Sequence, residues 1–190
     1  MVVRAVCLAL ASACASCAAA PPGGMPIPNA PLVGPRGEAL GVRGLSELSA
    51  LTVLVFFSPD CDCLTEHDAR LVAIADAYRS RGVRLFMVDS EARGSLERDA
   101  AEGRRRGYSF PILLDRSARV ADLLGAEYSS YAVVIDSSGR VRYRGGIDSD
   151  KLHLHDDATP YLRNALDDLL NGRQPRLTEG KALGCALQRW

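Results

Sequence analysis

The chain has 190 residues, 47% of them hydrophobic and 24% charged, with 23 basic and 23 acidic side chains and a formal net charge of +0. At about 150 residues per domain, this length predicts one domain with a modest extension, and the composition is that of a soluble globular protein. The balanced charge argues against a nucleic-acid partner, because nucleic-acid binders carry a basic excess. Six cysteines are too few for a fold held together by disulfides alone.

Residues 1–20 are predicted to be an export signal. A single early arginine precedes an apolar, alanine-rich run that ends in small residues and is too short for a transmembrane helix of about 20 apolar residues. Cys14 and Cys17 follow small residues, as in the bacterial lipobox, but neither has leucine three residues earlier; cleavage near residues 18–20 is the alternative. We expect an exported protein of the bacterial cell envelope, periplasmic or on the outer surface, that meets a membrane only through a lipid anchor.

The rest of the chain divides into three predicted parts. Residues 21–31 are rich in proline and glycine without periodicity, which is typical of a flexible linker. Residues 32–172 are predicted to form the folded domain, and residues 173–190 a tail that contains Cys185.

Strands and helices alternate in the predicted domain. The apolar run 51–57 is typical of a strand covered on both faces, and a helical stripe follows over 63–81. A strand at 83–88 is followed by an exposed helix over 94–107, whose arginines at 104–106 are interpreted as a solvated helix end.

The second half of the domain continues the alternation. A short strand at 110–115 precedes a small helix capped by Ser117, and the strands 131–136 and 141–144 are joined by a turn, which predicts a hairpin. The last helix begins with Thr159 as N-cap and Pro160 as its first residue. This order predicts an α/β fold with a mixed sheet that carries an antiparallel hairpin.

Cys61 has a privileged position, directly after the buried strand and at the start of the helix. The unpaired N–H groups and the partial positive charge of a helix N-terminus favour a thiolate over a thiol. Disulfides persist in exported proteins. The position of Cys61 therefore predicts thiol redox chemistry.

Four segments resemble the thioredoxin-fold redoxins, which include the alkyl hydroperoxide reductase/thiol-specific antioxidant group and membrane-tethered thioredoxin-like proteins. Residues 56–61 resemble their first strand and active-site turn, 107–125 their "FPxLxD…VAxxYG" segment, 133–145 their hairpin, and 184–187 a C-terminal "GCxI" ending. The resemblance covers about residues 32–190. It implies a three-layer thioredoxin-like fold, with helices on both faces of a central mixed sheet and an antiparallel hairpin toward its C-terminal side.

The resemblance also implies an exported thiol–disulfide redox protein that needs no cofactor. Cys61 would be the nucleophile, Cys63 or Cys185 the resolving thiol, and His67, one helical turn after Cys63, would tune or relay protons. The partners would be a thiol or disulfide protein, as electron donor or substrate, or a peroxide. Cys185 could bond to Cys61 or to Cys63, either as the resolving thiol or as a structural staple.

Three features depart from the family pattern. Cys61 and Cys63 are two residues apart rather than three, which separates them by about 200° on a helix, so a bond between them would require an unwound turn. The peroxiredoxin signature P-x-x-x-T/S-x-x-C is absent, since Pro59 lies only two residues before Cys61. Ser130 occupies the place of the cis-proline of thioredoxins, and we expect Pro59, Ser129 and Ser130 to line the substrate groove.

Two further hypotheses compete with redox catalysis. Our primary expectation is that the protein binds no metal. Nevertheless, Cys61, Cys63 and His67 form C-x-C-x-x-x-H, a set of soft ligands suited to Cu(I) or Zn(II). His153 and His155, which alternate with leucines, are interpreted instead as part of an edge strand. The remaining hypothesis is a degenerate, non-catalytic redoxin that serves as a binding or structural lipoprotein.

Overall fold

The computed structural model describes residues 24–189. The predicted export signal, with Cys14 and Cys17, lies outside the described residues. The strands are β1 (Met25–Pro26), β2 (Pro31–Val33), β3 (Ala39–Gly41), β4 (Leu51–Phe57), β5 (Val83–Asp89), β6 (Ile112–Leu114), β7 (Ala132–Asp136) and β8 (Arg140–Gly145). The helices are α1 (Val42–Glu47), α2 (Asp62–Arg79), α3 (Leu96–Arg105), α4 (Arg119–Leu124) and α5 (Tyr161–Leu170).

The strands form one mixed sheet in the order β1-β8-β7-β4-β5-β6-β2-β3. Its centre is parallel from β4 through β5 to β6, as expected for strands joined by the crossover helices α2 and α3. The strands β7 and β8 form the predicted antiparallel hairpin, and β7 pairs antiparallel with β4. The strand β4 is thus paired on both sides, which agrees with its uninterrupted apolar sequence.

Two apolar cores cover the two faces of the sheet. Along β4, Val53, Val55 and Phe57 face one core, which the buried sides of α2 and α5 complete. Leu54 and Phe56 face the other core, against residues of α1 and α4. Because successive side chains of a strand point to opposite faces, this run fills both cores. The predicted α/β class, with a central mixed sheet and helices on both faces, is confirmed.

The described part of the predicted linker lies on the sheet. Met25 and Pro26 pair with β8, Ile27 is buried, and Pro31 begins a strand that pairs with β3 and β6. These strands have two or three residues, too few for the alternation of apolar and polar residues that indicates a strand.

Two predicted helix caps are wrong. Ser117 has a left-handed backbone (φ 61°) within a 3-10 turn, and α4 begins at Arg119. Its first N–H groups are satisfied instead by the carboxylate of Asp115, which accepts from Val120 and Ala121, each at 3.0 Å. The N-cap of α5 is Pro160, one residue after the predicted Thr159.

The interpretation of His153 and His155 as part of an edge strand is also wrong. Residues 151–158 form bends and turns, with both leucines exposed. The backbone N–H of His155 donates to the carboxylate of Asp150 at 2.7 Å, which holds the segment in a turn.

Candidate active site

Cys61 lies where β4 gives way to α2. It is the N-cap residue of α2, with extended backbone angles of φ −103° and ψ 107°, and its side chain makes no capping hydrogen bond. The residue is fully buried. Its sulfur is therefore placed at the positive end of an 18-residue helix, the environment that the sequence predicts for a reactive cysteine.

Cys61 forms a disulfide with Cys185. The two Cα atoms are 5.7 Å apart, within the usual range for a disulfide. The bond joins residues 124 positions apart and brings the C-terminal tail to the start of α2. Of the pairings that the sequence leaves open, the structure contains the one between the helix N-terminus and the tail.

The tail reaches Cys61 by pairing with the segment 127–130, which precedes β7. The N–H of Ser129 donates to the Cys185 carbonyl at 2.9 Å, and the N–H of Leu187 donates to the Glu127 carbonyl at the same distance. A Cβ atom on Gly184 would clash with the carbonyl oxygen of Ser129, so the residue before Cys185 is restricted to glycine.

Ser130, predicted to line the groove, contacts both the tail and the sheet in the disulfide form. Its hydroxyl donates to the Leu183 carbonyl at 3.1 Å, and its N–H donates to the Phe56 carbonyl at 2.9 Å. Its φ of 67° is left-handed, and its peptide bond is trans. In the disulfide form, the predicted groove residues Ser129 and Ser130 are therefore covered by the protein's own tail.

Cys63 lies in the first turn of α2 as a free, buried thiol. The sulfurs of Cys61, Cys63 and Cys185 all lie within 4.8 Å of one another. All three candidate redox cysteines therefore meet at one point, although only two of them are bonded.

His67 is buried one turn further along α2 than Cys63, and neither of its ring nitrogens is free to join the cluster. Its Nδ1 lies 2.6 Å from the carbonyl oxygen of Cys63, and its Nε2 lies 3.1 Å from Oδ1 of Asp148. A carbonyl and an ionised carboxylate only accept, so both ring nitrogens donate. The one-turn spacing brings His67 to the backbone of Cys63 rather than to its thiol, which argues against the Cys61, Cys63 and His67 ligand set.

The charge of His67 is set by its surroundings. Burial lowers the pKa of His67, but the hydrogen bonds to Asp148 and to the Cys63 carbonyl outweigh burial and raise the pKa. Burial in turn raises the pKa of Asp148, but hydrogen bonds from His67 and Arg70 lower it below the usual range. Arg70 donates to Asp148 at 2.6 Å and to Asp150 at 3.0 Å. Sequence spacing gave no signal for this network, because Asp148 lies 81 residues from His67.

Pro59 is held by Arg106, which the sequence placed on a solvated helix end. The Arg106 side chain is only 1% exposed. It donates to the Pro59 carbonyl at 2.7 Å, pairs with Asp68 at 3.3 Å, and its guanidinium lies 5.4 Å from the centre of the Phe57 ring. This arginine therefore fixes the loop between β4 and Cys61.

A mixed sheet whose central strand leads into a helix with cysteine at its N-cap position is typical of a thioredoxin-fold redoxin. A family model agrees: residues 26–144 match the AhpC/TSA family, and the chain belongs to that family. No curated protein sequence matches the chain significantly. In the described part of the chain, no helix has the length and apolar character needed to span a bilayer.

Solved structures resemble this one over most of the chain. A hypothetical protein, SMc02350, from Sinorhizobium meliloti 1021 is 26% identical, with a TM-score of 0.77 over 87% of this chain and 93% of that chain. An uncharacterized conserved protein from Geobacillus kaustophilus is 26% identical, with a TM-score of 0.78 over 89% of this chain and 92% of that chain. The thioredoxin domain of a thiol-disulfide oxidoreductase from Bacteroides vulgatus shares the fold at 14% identity, with a TM-score of 0.58 over 78% and 97%. The thioredoxin-like fold implied by the sequence is thus confirmed.

Proposed function

We propose that this protein is a thiol–disulfide oxidoreductase in which Cys61 is the nucleophile and Cys185 the resolving thiol. The observation that carries the proposal is the bond between these two cysteines at the N-terminus of α2. The partner would be a protein disulfide, and no organic cofactor takes part.

The proposed cycle begins with both cysteines reduced. The Cys61 thiolate attacks one sulfur of the partner disulfide, which forms a mixed disulfide and releases the other partner sulfur as a thiolate that takes up a proton. Cys185 then loses its proton and attacks the Cys61 sulfur, forming the internal disulfide and releasing the second partner thiol. Two electrons pass to the partner. A dithiol protein restores the reduced state: one of its thiolates attacks the partly exposed Cys185 sulfur and releases Cys61 as a thiolate, and its second thiol then displaces Cys185 and closes the donor's own disulfide.

The position of the tail supports Cys185 rather than Cys63 as the resolving thiol. Cys185 is already bonded to Cys61, while Cys63 lies two residues along the same helix, where a bond to Cys61 would require an unwound turn. Cys61 is fully buried in the disulfide form. We therefore expect reduction to release the tail from residues 127–130 before a partner reaches Cys61.

We propose that the protein works outside the cytoplasm, in the bacterial cell envelope. The predicted signal at residues 1–20 supports this location, as does a disulfide of a kind that persists in oxidising compartments. The lipid anchor at Cys14 or Cys17 belongs to the same proposal. Mass analysis of the mature N-terminus from a bacterial host would test it: an intact residue 1 in membrane-free cytosol would contradict export.

Disulfide reduction by purified protein tests the redox proposal. All variants carry serine in place of the three cysteines that precede residue 21, a change called here the serine background (Cys7→Ser, Cys14→Ser and Cys17→Ser). In this background, we expect the parent to reduce insulin disulfides with a dithiol donor. The Cys61→Ser variant should lose this activity, and Cys185→Ser should accumulate a mixed disulfide with the substrate.

Three outcomes would contradict the proposal. Equal activity of Cys61→Ser and the parent would remove Cys61 as the nucleophile. Absence of insulin reduction together with rapid consumption of peroxide would assign the cysteines to peroxide chemistry instead. Absence of both activities would support the hypothesis of a non-catalytic redoxin.

A further inference from the structure

The free thiol of Cys63 has no role in the proposed redox cycle, yet its sulfur lies within 4.8 Å of both sulfurs of the disulfide. When the Cys61–Cys185 bond is reduced, this point of the structure holds three thiols. Three cysteine sulfurs converging on one point form a ligand set for a soft metal ion.

We infer that the reduced protein binds one Cu(I) ion through the sulfurs of Cys61, Cys63 and Cys185. An ion held at the centre of three sulfurs by bonds of about 2.3 Å places those sulfurs about 4 Å apart. The Cys63 sulfur lies within 4.8 Å of the other two sulfurs, close to this separation. The Cys61 and Cys185 sulfurs are bonded to each other here and would move apart on reduction, after which the released tail would dock again on residues 127–130 and place the Cys185 sulfur beside the ion.

The choice of Cu(I) over Zn(II) follows from the number of ligands. Soft thiolates bind both ions, but structural Zn(II) sites take four ligands, whereas Cu(I) is satisfied by three sulfurs. Within residues 24–189, no imidazole or carboxylate joins the three sulfurs. Both nitrogens of His67 are engaged by Cys63 and Asp148.

Burial also favours an ion without water ligands. Cys61 is 0% exposed and Cys63 3% exposed, and only Cys185 is partly open to solvent. Three thiolates and one monovalent cation carry a net negative charge, and the partial positive charge at the N-terminus of α2 offsets part of it. The ion would enter from the side of Cys185, the one ligand carried on the tail.

The binding step moves no electrons. Three thiols release three protons and bind one Cu(I), which keeps its charge. When Cys61 and Cys185 pass two electrons to a disulfide partner and bond to each other, two of the three ligands are lost and the ion leaves as Cu(I). Copper binding would thus be restricted to the reduced protein. This inference shares with the proposed function only the reducibility of the Cys61–Cys185 bond.

Competition with a chromophoric Cu(I) chelator tests the site under anaerobic conditions, using the full chain in the serine background. We expect the reduced protein to withdraw one Cu(I) per chain from the chelator and the oxidised protein to withdraw none. X-ray absorption should show three sulfur neighbours at about 2.3 Å. The Cys63→Ser variant should bind Cu(I) at least about tenfold more weakly, since removal of a group that only orients a metal ligand already lowers metal affinity by that factor.

Cys185→Ser removes a ligand on the tail rather than in the core. The reduced parent lacks the same disulfide, so under the reducing conditions of the assay this variant is cross-linked no less than the parent, and it keeps the test decisive if Cys63→Ser does not fold. The exposed neighbour Glu66 provides a matched control, and Glu66→Gln should bind Cu(I) as the parent does. Undiminished binding by both cysteine variants would overturn the three-sulfur site. Failure of the reduced parent to compete, or preference for Zn(II) over Cu(I), would overturn the assignment of the ion.

The inference and the proposed function can fail separately. Insulin reduction by metal-free parent protein, together with no Cu(I) binding, would remove the copper site and leave the oxidoreductase. Cu(I) binding by a parent that reduces no disulfide would remove the oxidoreductase and leave the copper site.

Discussion

Loss of the Cys61–Cys185 bond should cost this protein a large share of its stability. The bond closes a loop of 124 residues. In the chain-entropy description, a cross-link of this span removes about 16 cal/mol/K from the unfolded chain, which is about 5 kcal/mol at 25 °C. Since whole domains are stable by about 5–15 kcal/mol, the variant Cys185→Ser should be near the limit of folding.

Urea unfolding followed by circular dichroism measures this effect, with oxidised parent and Cys185→Ser compared in the serine background. The midpoint should fall sharply, and the dependence on urea should steepen because the unlinked chain exposes more surface on unfolding. The control Cys63→Ala keeps the bond and removes a buried thiol, so it should cost about 1 kcal/mol. A loss below about 2 kcal/mol for Cys185→Ser would refute the argument.

Three further predictions concern the tail, a buried acid and a helix cap. Gly184→Ala should slow the closure of the disulfide, measured by thiol trapping during reoxidation, because its methyl group clashes with the Ser129 carbonyl. Burial and the neighbouring Asp89 raise the pKa of Asp99 to about 8. The folded state therefore keeps a proton that the unfolded state releases above about pH 4, so the free energy of unfolding falls between about pH 4 and pH 8. Urea midpoints measured across this range should fall less steeply with pH for Asp99→Asn than for the parent. Asp115→Ala should cost about 1–3 kcal/mol in urea unfolding, since it removes the carboxylate that caps α4.

A different result would contradict each of these three predictions. Reoxidation of Gly184→Ala at the parent rate would show that the tail does not need close contact with the segment 127–130. A decline of stability with pH that is unchanged in Asp99→Asn would exclude Asp99 as its source. Asp115→Asn, which keeps one acceptor oxygen, should lose less stability than Asp115→Ala, and the opposite order would contradict the capping role.

The central part of the fold could be predicted from sequence because its signals are local. The apolar run of β4, the stripe of α2 and the turn between β7 and β8 each depend on a few neighbouring residues, and all three elements are present in the structure. The short strands β1, β2 and β3 could not be predicted, because two or three residues carry no period. Their pairing depends on strands far along the chain.

The candidate site was predictable only in part, for the same reason. The position of Cys61 at a helix N-terminus is a local property, and the sequence located it. The choice of Cys185 as its partner depends on the path of a tail that pairs with Ser129, a contact across 56 residues. The burial of Arg106 was missed because its acceptor, the Pro59 carbonyl, lies 47 residues away.

The pairing of the tail with residues 127–130 has a consequence for maturation of the chain. Ser130, at the end of this segment, donates its N–H to the Phe56 carbonyl of β4, so the sheet must be assembled before Cys185 has a place to lie. A contact between residues so distant in sequence also forms late, because the entropy cost of closing its loop is compensated only when the contacts of the sheet have formed. Closure of the disulfide therefore marks a chain that has completed its folding, and an unfinished chain would be recognisable by its free tail cysteine.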